Sequence, residues 1–266
     1  MKVLTVFLSL CLLLACKKGT MPMDNENLPA DTLVKVVDTT KKPTDTVKKP
    51  IDTAIKPVDP NLGKQLNYLA LGDSYTIGES VDRPQIFPAQ LVKQLEKAGL
   101  VINPPTIIAR TGWTTSELQA AIRLSGGIRK FNFVTLLIGV NNQYRGEPKD
   151  KYRKEFKELL QTAIDYVSGD KTHVFVVSIP DWGVTPFGKQ SGRDQQMISQ
   201  EIDAFNAINK EETLAMGINY TDITPASRNA ATDNSLVASD GLHPSGKMYL
   251  DWAVNVAPAV LKVFKP

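Results

Sequence analysis

The stretch Asn67-Tyr68-Leu69-Ala70-Leu71-Gly72-Asp73-Ser74-Tyr75-Thr76-Ile77-Gly78 is a short apolar run that stops at a Gly-Asp-Ser turn. It reads as a buried strand, Tyr68 to Leu71, that delivers a serine to the edge of a sheet. In an open parallel sheet, ligands bind in the crevice outside the carboxyl ends of the strands, so a hydroxyl placed there meets whatever binds. Taken alone, Gly-Asp-Ser is also an ordinary turn tripeptide. Its weight depends on what the rest of the chain adds.

Downstream, strand and helix patterns alternate. A helix with Pro88 in its first turn carries Phe87, Leu91, Leu95 and Ala98 on one face and stops at Gly99. Strands are expected at Thr106 to Ala109, Phe133 to Ile138, His173 to Ser178 and Ile218 to Thr221. Helices are expected at Thr114 to Leu124, through Tyr152, Phe156, Leu159, Leu160, Ala163, Ile164 and Val167, at Gln195 to Met216, and at Ser245 to Val263 with a kink at Pro258. Five β-then-α units require crossovers that lay helices on a parallel sheet. The fold class is therefore α/β, a three-layer α/β/α sandwich with a five-stranded parallel sheet, over residues 65 to 266.

The chain ahead of that domain has a different character. Met1-Lys2, an apolar stretch of about 12 residues from Val3 and the ending Leu13-Leu14-Ala15-Cys16 read as a secretory signal over residues 1 to 15. The ending resembles the lipobox of bacterial lipoproteins, which implies cleavage before Cys16 and acylation of its thiol and amine, a lipid anchor at the cell envelope. Residues 16 to 64 then form a tether in which Asp31, Asp38, Asp45, Asp52 and Asp59 recur every seven residues. Prolines at 43, 50 and 57 refute a coiled coil, because each removes a helical donor and clashes with the preceding turn. An extended, solvated segment of this length reaches about 160 Å fully stretched, or about 40 Å as a coil.

Composition removes several function classes. The two cysteines, Cys11 and Cys16, both lie in or at the end of the signal, leaving the domain without disulfide, thiol nucleophile or thiolate metal site. Residues 17 to 64 carry nine Lys against seven Asp plus Glu, while residues 65 to 266 carry 21 Lys plus Arg against 21 acids. A net-neutral domain has no basic excess to neutralise phosphates, which argues against a nucleic-acid partner.

A serine attacks well only when a base takes its proton, and the usual base is histidine. Of the two histidines, His173 opens an apolar strand at its amino end, away from the crevice, where a structural role is expected. His243, in Ser239-Asp240-Gly241-Leu242-His243-Pro244, is left as the base by elimination, with Asp240 able to reach its Nδ1 across a tight turn. Attack on a carbonyl also requires donors for the developing oxyanion. Gly112, after the second strand, offers a backbone amide, and Asn141, after the third, a side-chain amide. Each alone reads equally as a turn glycine or a helix cap.

As an ordered set, Gly72-Asp73-Ser74, Gly112, Gly139-Val140-Asn141 and Asp240-Gly241-Leu242-His243 resemble the blocks of the SGNH hydrolases, also called GDSL esterases and lipases. The resemblance implies a flavodoxin-like sheet, Ser74 as nucleophile, His243 as base, Asp240 as its orienting partner, and an oxyanion held by the Ser74 and Gly112 amides and Asn141. It implies an ester substrate and no metal or organic cofactor. Tyr75 replaces the leucine of the consensus, and Asn142 stands where aspartate is common. An α/β-hydrolase fits worse, because Thr76 occupies the last glycine of its Gly-x-Ser-x-Gly elbow. Two histidines are too few for a zinc hydrolase.

Pocket walls are sought in Gly78-Glu79-Ser80, Gln143-Tyr144-Arg145 and Ile179-Pro180-Asp181-Trp182-Gly183, with Glu79, Tyr144 and Trp182 as substrate contacts. The two aromatics read equally as sugar platforms or loop packing. Substrates in reach of the resemblance are small acyl or glycan-linked esters, lysophospholipids and thioesters; a tethered glycan-binding module without activity is a further alternative. Oligomeric state is not legible.

Overall fold

The computed structural model describes residues 65–125 and 130–265. The signal, Cys16 and the repeat tether expected from the sequence lie outside the described residues. The domain is a five-stranded parallel sheet made of β1 (Tyr68–Gly72), β2 (Thr106–Ala109), β3 (Phe133–Leu137), β4 (Val174–Val177) and β5 (Asn219–Thr221). Its spatial order is β2-β1-β3-β4-β5, the flavodoxin-like arrangement. The major helices are α1 (Phe87–Lys97), α2 (Thr115–Leu124), α3 (Lys149–Tyr166), α4 (Gln195–Ala215) and α5 (Gly246–Phe264). Helix α1 packs against α5, while α2, α3 and α4 pack in series.

Every residue of β1, β3 and β4 is buried, as continuous apolar runs require of central strands covered on both faces. The edge strands β2 and β5 are only partly covered. Tyr68 and Phe133 stack across β1 and β3 with ring centroids 4.4 Å apart, and the Tyr68 hydroxyl bonds Thr135 Oγ1 at 2.7 Å. At the other end of the ladder, Gly72 lies opposite Ala109 on one side and Leu137 on the other. The chain leaves β1, β2 and β3 at the same level, at the point where strand order reverses.

Local signals explain most boundaries. Thr114 and Glu117 form a reciprocal capping box that starts α2, and Ser245 caps α5 by accepting from the Met248 amide. Helix α5 continues through Pro258 as one element to Phe264. His173 falls in a single turn just ahead of β4 rather than in it, and its ring packs 4.9 Å from that of Phe264. Short helices after β1 (Ser74–Ile77), after β3 (Val140–Tyr144), and at Pro186–Gln190 and Thr224–Ser227 carry too few residues to show a helical period in the sequence. A two-residue parallel pair, Gln65–Leu66 with Val101–Ile102, extends the fold beside the main sheet and was equally invisible.

Gly72 marks the limit of β1 for a steric reason. A Cβ there would lie 2.1 Å from Thr76 Oγ1 and 2.4 Å from the Leu137 carbonyl oxygen. The backbone must pass this close for the short helix to fold back over the strand end. Gly72→Ala should therefore push that helix off β3 and lower the unfolding free energy by about 1–3 kcal/mol, measured by urea titration.

Candidate active site

Ser74 is the first residue of the helix Ser74–Ile77, and only 5% of it is exposed. Asp73 caps that helix, its Oδ1 accepting from the Tyr75 amide at 3.0 Å. Gly78 ends it in the left-handed region at φ 78°, donating its amide to the Ser74 carbonyl at 3.0 Å. The tight turn thus presents the Ser74 hydroxyl at the sheet edge. Tyr75, in place of the consensus leucine, is buried against the His243 ring (centroids 5.8 Å apart) and Trp252 (6.2 Å). Burial, reinforced by the charges of Asp73, Asp181 and Asp240, drives its phenol well above the ordinary tyrosine range.

Asp240 and His243 meet across one turn of chain. The His243 Nδ1 and Asp240 Oδ2 are 2.5 Å apart, while Asp240 Oδ1 accepts from the amides of Leu242 and His243, each at 2.9 Å. Burial pushes the Asp240 carboxyl up, but hydrogen bonds from Ser80, from His243 and from the two amides outweigh it and hold the group at about 2. It is ionised at neutral pH and can only accept. Nδ1 therefore carries the ring proton, and the unprotonated nitrogen of the neutral ring is Nε2. The turn is fastened from outside by the Phe187 amide, which donates to the Gly241 carbonyl at 2.8 Å. A bridge between Val237 and Pro244 closes its base.

The proposed oxyanion donors are held by the segment after β3. Gly112 sits at φ 85°, where glycine is the low-cost residue. Its carbonyl accepts from Arg145 Nη2 at 2.5 Å, and the next carbonyl, of Trp113, accepts from Asn141 Nδ2 at 2.9 Å. One amide hydrogen of Asn141 is thereby used, and the other has no protein acceptor among the described residues. Asn142 explains its own departure from aspartate. Its Oδ1 accepts from the Thr115 amide at 3.1 Å, while its Nδ2 donates to Thr115 Oγ1 and to Glu147 Oε2, both at 2.8 Å. An aspartate there would have no donor to offer Glu147 and would repel it.

Ser74, Gly112, Asn141 and His243 line one cavity of about 250 Å³, with Val140, Tyr144, Trp182, Phe187 and Leu242 as its apolar wall. No hydrogen bond joins Ser74 Oγ to the imidazole among the described residues; such contacts commonly tighten only when substrate arrives. Tyr144 is half exposed at the rim. Trp182 is buried, its Nε1 donating to Gln143 Oε1 at 2.8 Å, with the Arg193 guanidinium 5.5 Å from its ring and Tyr144 packed edge-on at 5.4 Å. Glu79 does not line the cavity; its carboxylate accepts from the hydroxyl of Thr111, which does. The segments holding Ser80 and Arg145 were expected as pocket walls, but the bond of Ser80 to Asp240, the clamp of Arg145 on the Gly112 carbonyl and Phe187 as a wall escaped sequence reasoning, since none belongs to a motif with a recognisable spacing. The unusual backbone at Ser80, φ 62°, has no sequence signature in a serine.

A model of the GDSL-like lipase/acylhydrolase family matches residues 70–250. No curated protein matches the chain. Among solved structures, that of TesA is similar at 20% identity over 74% of this chain and 99% of that one, with a TM-score of 0.58. A lipase/acylhydrolase from Enterococcus faecalis is similar at 19% identity over 76% and 98%, with a TM-score of 0.59. An acetylxylan esterase from Geobacillus stearothermophilus is similar at 18% identity over 76% and 94%, with a TM-score of 0.55. At these identities the likeness is one of fold.

The carboxyl of Asp73 is fully buried, and burial pushes it up to about 7 against the opposing bonds from the amides of Tyr75, Asp73 and Gly139. Between its ordinary value of 3.8 and about 7 the folded protein keeps this proton and the unfolded chain releases it. The contribution to stability is whole below that window and is lost as the pH rises through it. Comparing urea unfolding of wild type and Asp73→Asn from pH 4 to 8 should show a downward slope in wild type that the variant lacks.

Proposed function

Since the chain belongs to the GDSL-like lipase/acylhydrolase family and is an ester hydrolase, we propose that it works as a serine esterase through an acyl-Ser74 intermediate. The observation that carries this reading is the Asp240–His243 pair at 2.5 Å, whose imidazole lines the same cavity as Ser74. His243 Nε2 takes the Ser74 proton as Oγ bonds to the ester carbonyl carbon. Negative charge gathers on the carbonyl oxygen, facing the Ser74 and Gly112 amides and the remaining hydrogen of Asn141 Nδ2. The imidazolium, stabilised by the ionised Asp240, then gives its proton to the leaving alcohol as the C–O bond breaks. Water, deprotonated by His243, attacks the acyl carbon, and the acid departs as Oγ recovers its proton.

For the substrate we favour an ester of a small acid on a glycan. A cavity of about 250 Å³ holds the space of about eight waters, enough for a short acyl group and the first part of its alcohol. The half-exposed Tyr144 ring at the rim is a suitable platform for a sugar face. The acetylxylan esterase of similar fold is, by its name, an enzyme of this kind. For the location we favour the bacterial cell envelope through acylation of Cys16, on the strength of Leu13-Leu14-Ala15-Cys16. Among the described residues no helix is long and apolar enough to cross a membrane.

With 4-nitrophenyl acetate, Ser74→Ala should abolish turnover with the fold intact by circular dichroism; equal rates for both proteins would end the esterase mechanism. Asn141→Ala should slow kcat by roughly 10²–10³, and an unchanged kcat would remove it from the oxyanion site. Cys16→Ala should move the protein from the membrane to the soluble fraction of fractionated cells, and retention in the membrane would exclude a lipid anchor at that residue.

A further inference from the structure

The Ser80 hydroxyl donates to Asp240 Oδ2 at 2.7 Å, the same oxygen that faces His243 Nδ1. Asp240 Oδ1 is already occupied by the amides of Leu242 and His243. A carboxylate has about four acceptor sites, and here each is used. Three of the donors belong to the turn that carries Asp240. Among the described residues, Ser80 is the one donor to this carboxylate that comes from outside that turn, and it comes from the segment that carries Ser74.

The backbone at Ser80 supports a role for that hydroxyl. Its φ of 62° lies in the left-handed region, which L residues other than asparagine and aspartate rarely enter. Glycine would hold this conformation without strain, as Gly78 does two residues earlier at φ 78°. A serine there carries a conformational cost and supplies a donor. Glu79, between them, accepts from the Thr111 hydroxyl beside Gly112. Within the segment Ser74 to Ser80, Ser74 and Tyr75 line the cavity, Glu79 bonds Thr111 beside Gly112, and Ser80 bonds the acid of the Asp240–His243 pair.

We propose that Ser80 is a positioning residue of the hydrolytic centre, its hydroxyl holding the Asp240 carboxylate against the His243 ring and tying both to the nucleophile segment. The proposal rests on the reading of Asp240 and His243 as partners of Ser74. Without the hydroxyl, Asp240, whose side chain is 29% exposed, is fixed by its own turn alone. The imidazole then loses its orientation toward Ser74, with no substrate contact removed.

The test uses Ser80→Ala, Ser80→Gly and Ser80→Asn, the glycine variant removing the hydroxyl while relaxing the backbone. Two quantities are read: kcat and KM for 4-nitrophenyl acetate, and the far-downfield proton NMR resonance of the His243 Nδ1–H in the unliganded protein. In Ser80→Ala and Ser80→Gly, kcat should fall roughly tenfold with KM within about twofold, as for one lost charge-assisted bond. The resonance should shift or broaden away. Ser80→Asn, which tolerates the left-handed backbone and offers an amide donor, should return kcat to within about threefold of wild type. An unaltered resonance and kcat in Ser80→Gly, or a change confined to KM, would overturn the proposal. Because the resonance needs no substrate, it separates the two readings. If it moves in Ser80→Gly while Ser74→Ala keeps full activity, the contact is real, but the esterase mechanism, and Ser80's place in it, are both wrong.

Discussion

The ladder bonds that join β1 to β2 on one side and to β3 on the other place Gly72, Ala109 and Leu137 level with one another. Each strand then releases its chain at the same edge, and the next few residues supply Ser74, Gly112 and Asn141. Had either neighbour slipped by one residue, its side chains would have exchanged faces and its loop would have left the edge at a different height. Register therefore fixes the spacing of Ser74, Gly112 and Asn141 before any side chain is considered. The fourth component, the Asp240 turn, has no strand to set its level and depends instead on fasteners: the Phe187 amide on Gly241, the Val237–Pro244 bridge and the Ser80 hydroxyl.

Much of the fold was legible because its central strands are apolar throughout and its long helices keep one apolar face. The parallel sheet and its layers follow from the alternation of those two patterns. The strand ends were legible to within a residue at Gly72, where the run of large side chains stops because two backbones and Thr76 leave no room for a Cβ. The short helices were not, because four or five residues show no period. His173 shows the same limit: it sits next to an apolar run, and only its contact with Phe264 distinguishes a preceding turn from a first strand residue.

The residues of the four blocks could be picked out because three blocks fall where strands end and the fourth lies just before the last helix. Their supports could not, because a support is defined by what it reaches across space. Arg145 reaches a carbonyl 33 residues earlier, and Ser80 a carboxylate 160 residues later. The two departures from the family pattern become intelligible in the same way. Tyr75 fills the space between the imidazole and Trp252, and Asn142 needs a donor that aspartate lacks. For Trp182, sequence left a sugar platform and loop packing equally open, and the structure buries the ring beneath Tyr144 and Arg193.

In a parallel sheet the amino and carboxyl ends of the first strand lie at opposite poles. Gln65, the first described residue, lies just ahead of β1 at the amino pole, and the cavity opens at the other, the length of a five-residue strand away, about 17 Å. The direction of one strand therefore keeps the first described residue and the mouth of the cavity at opposite ends of the sheet.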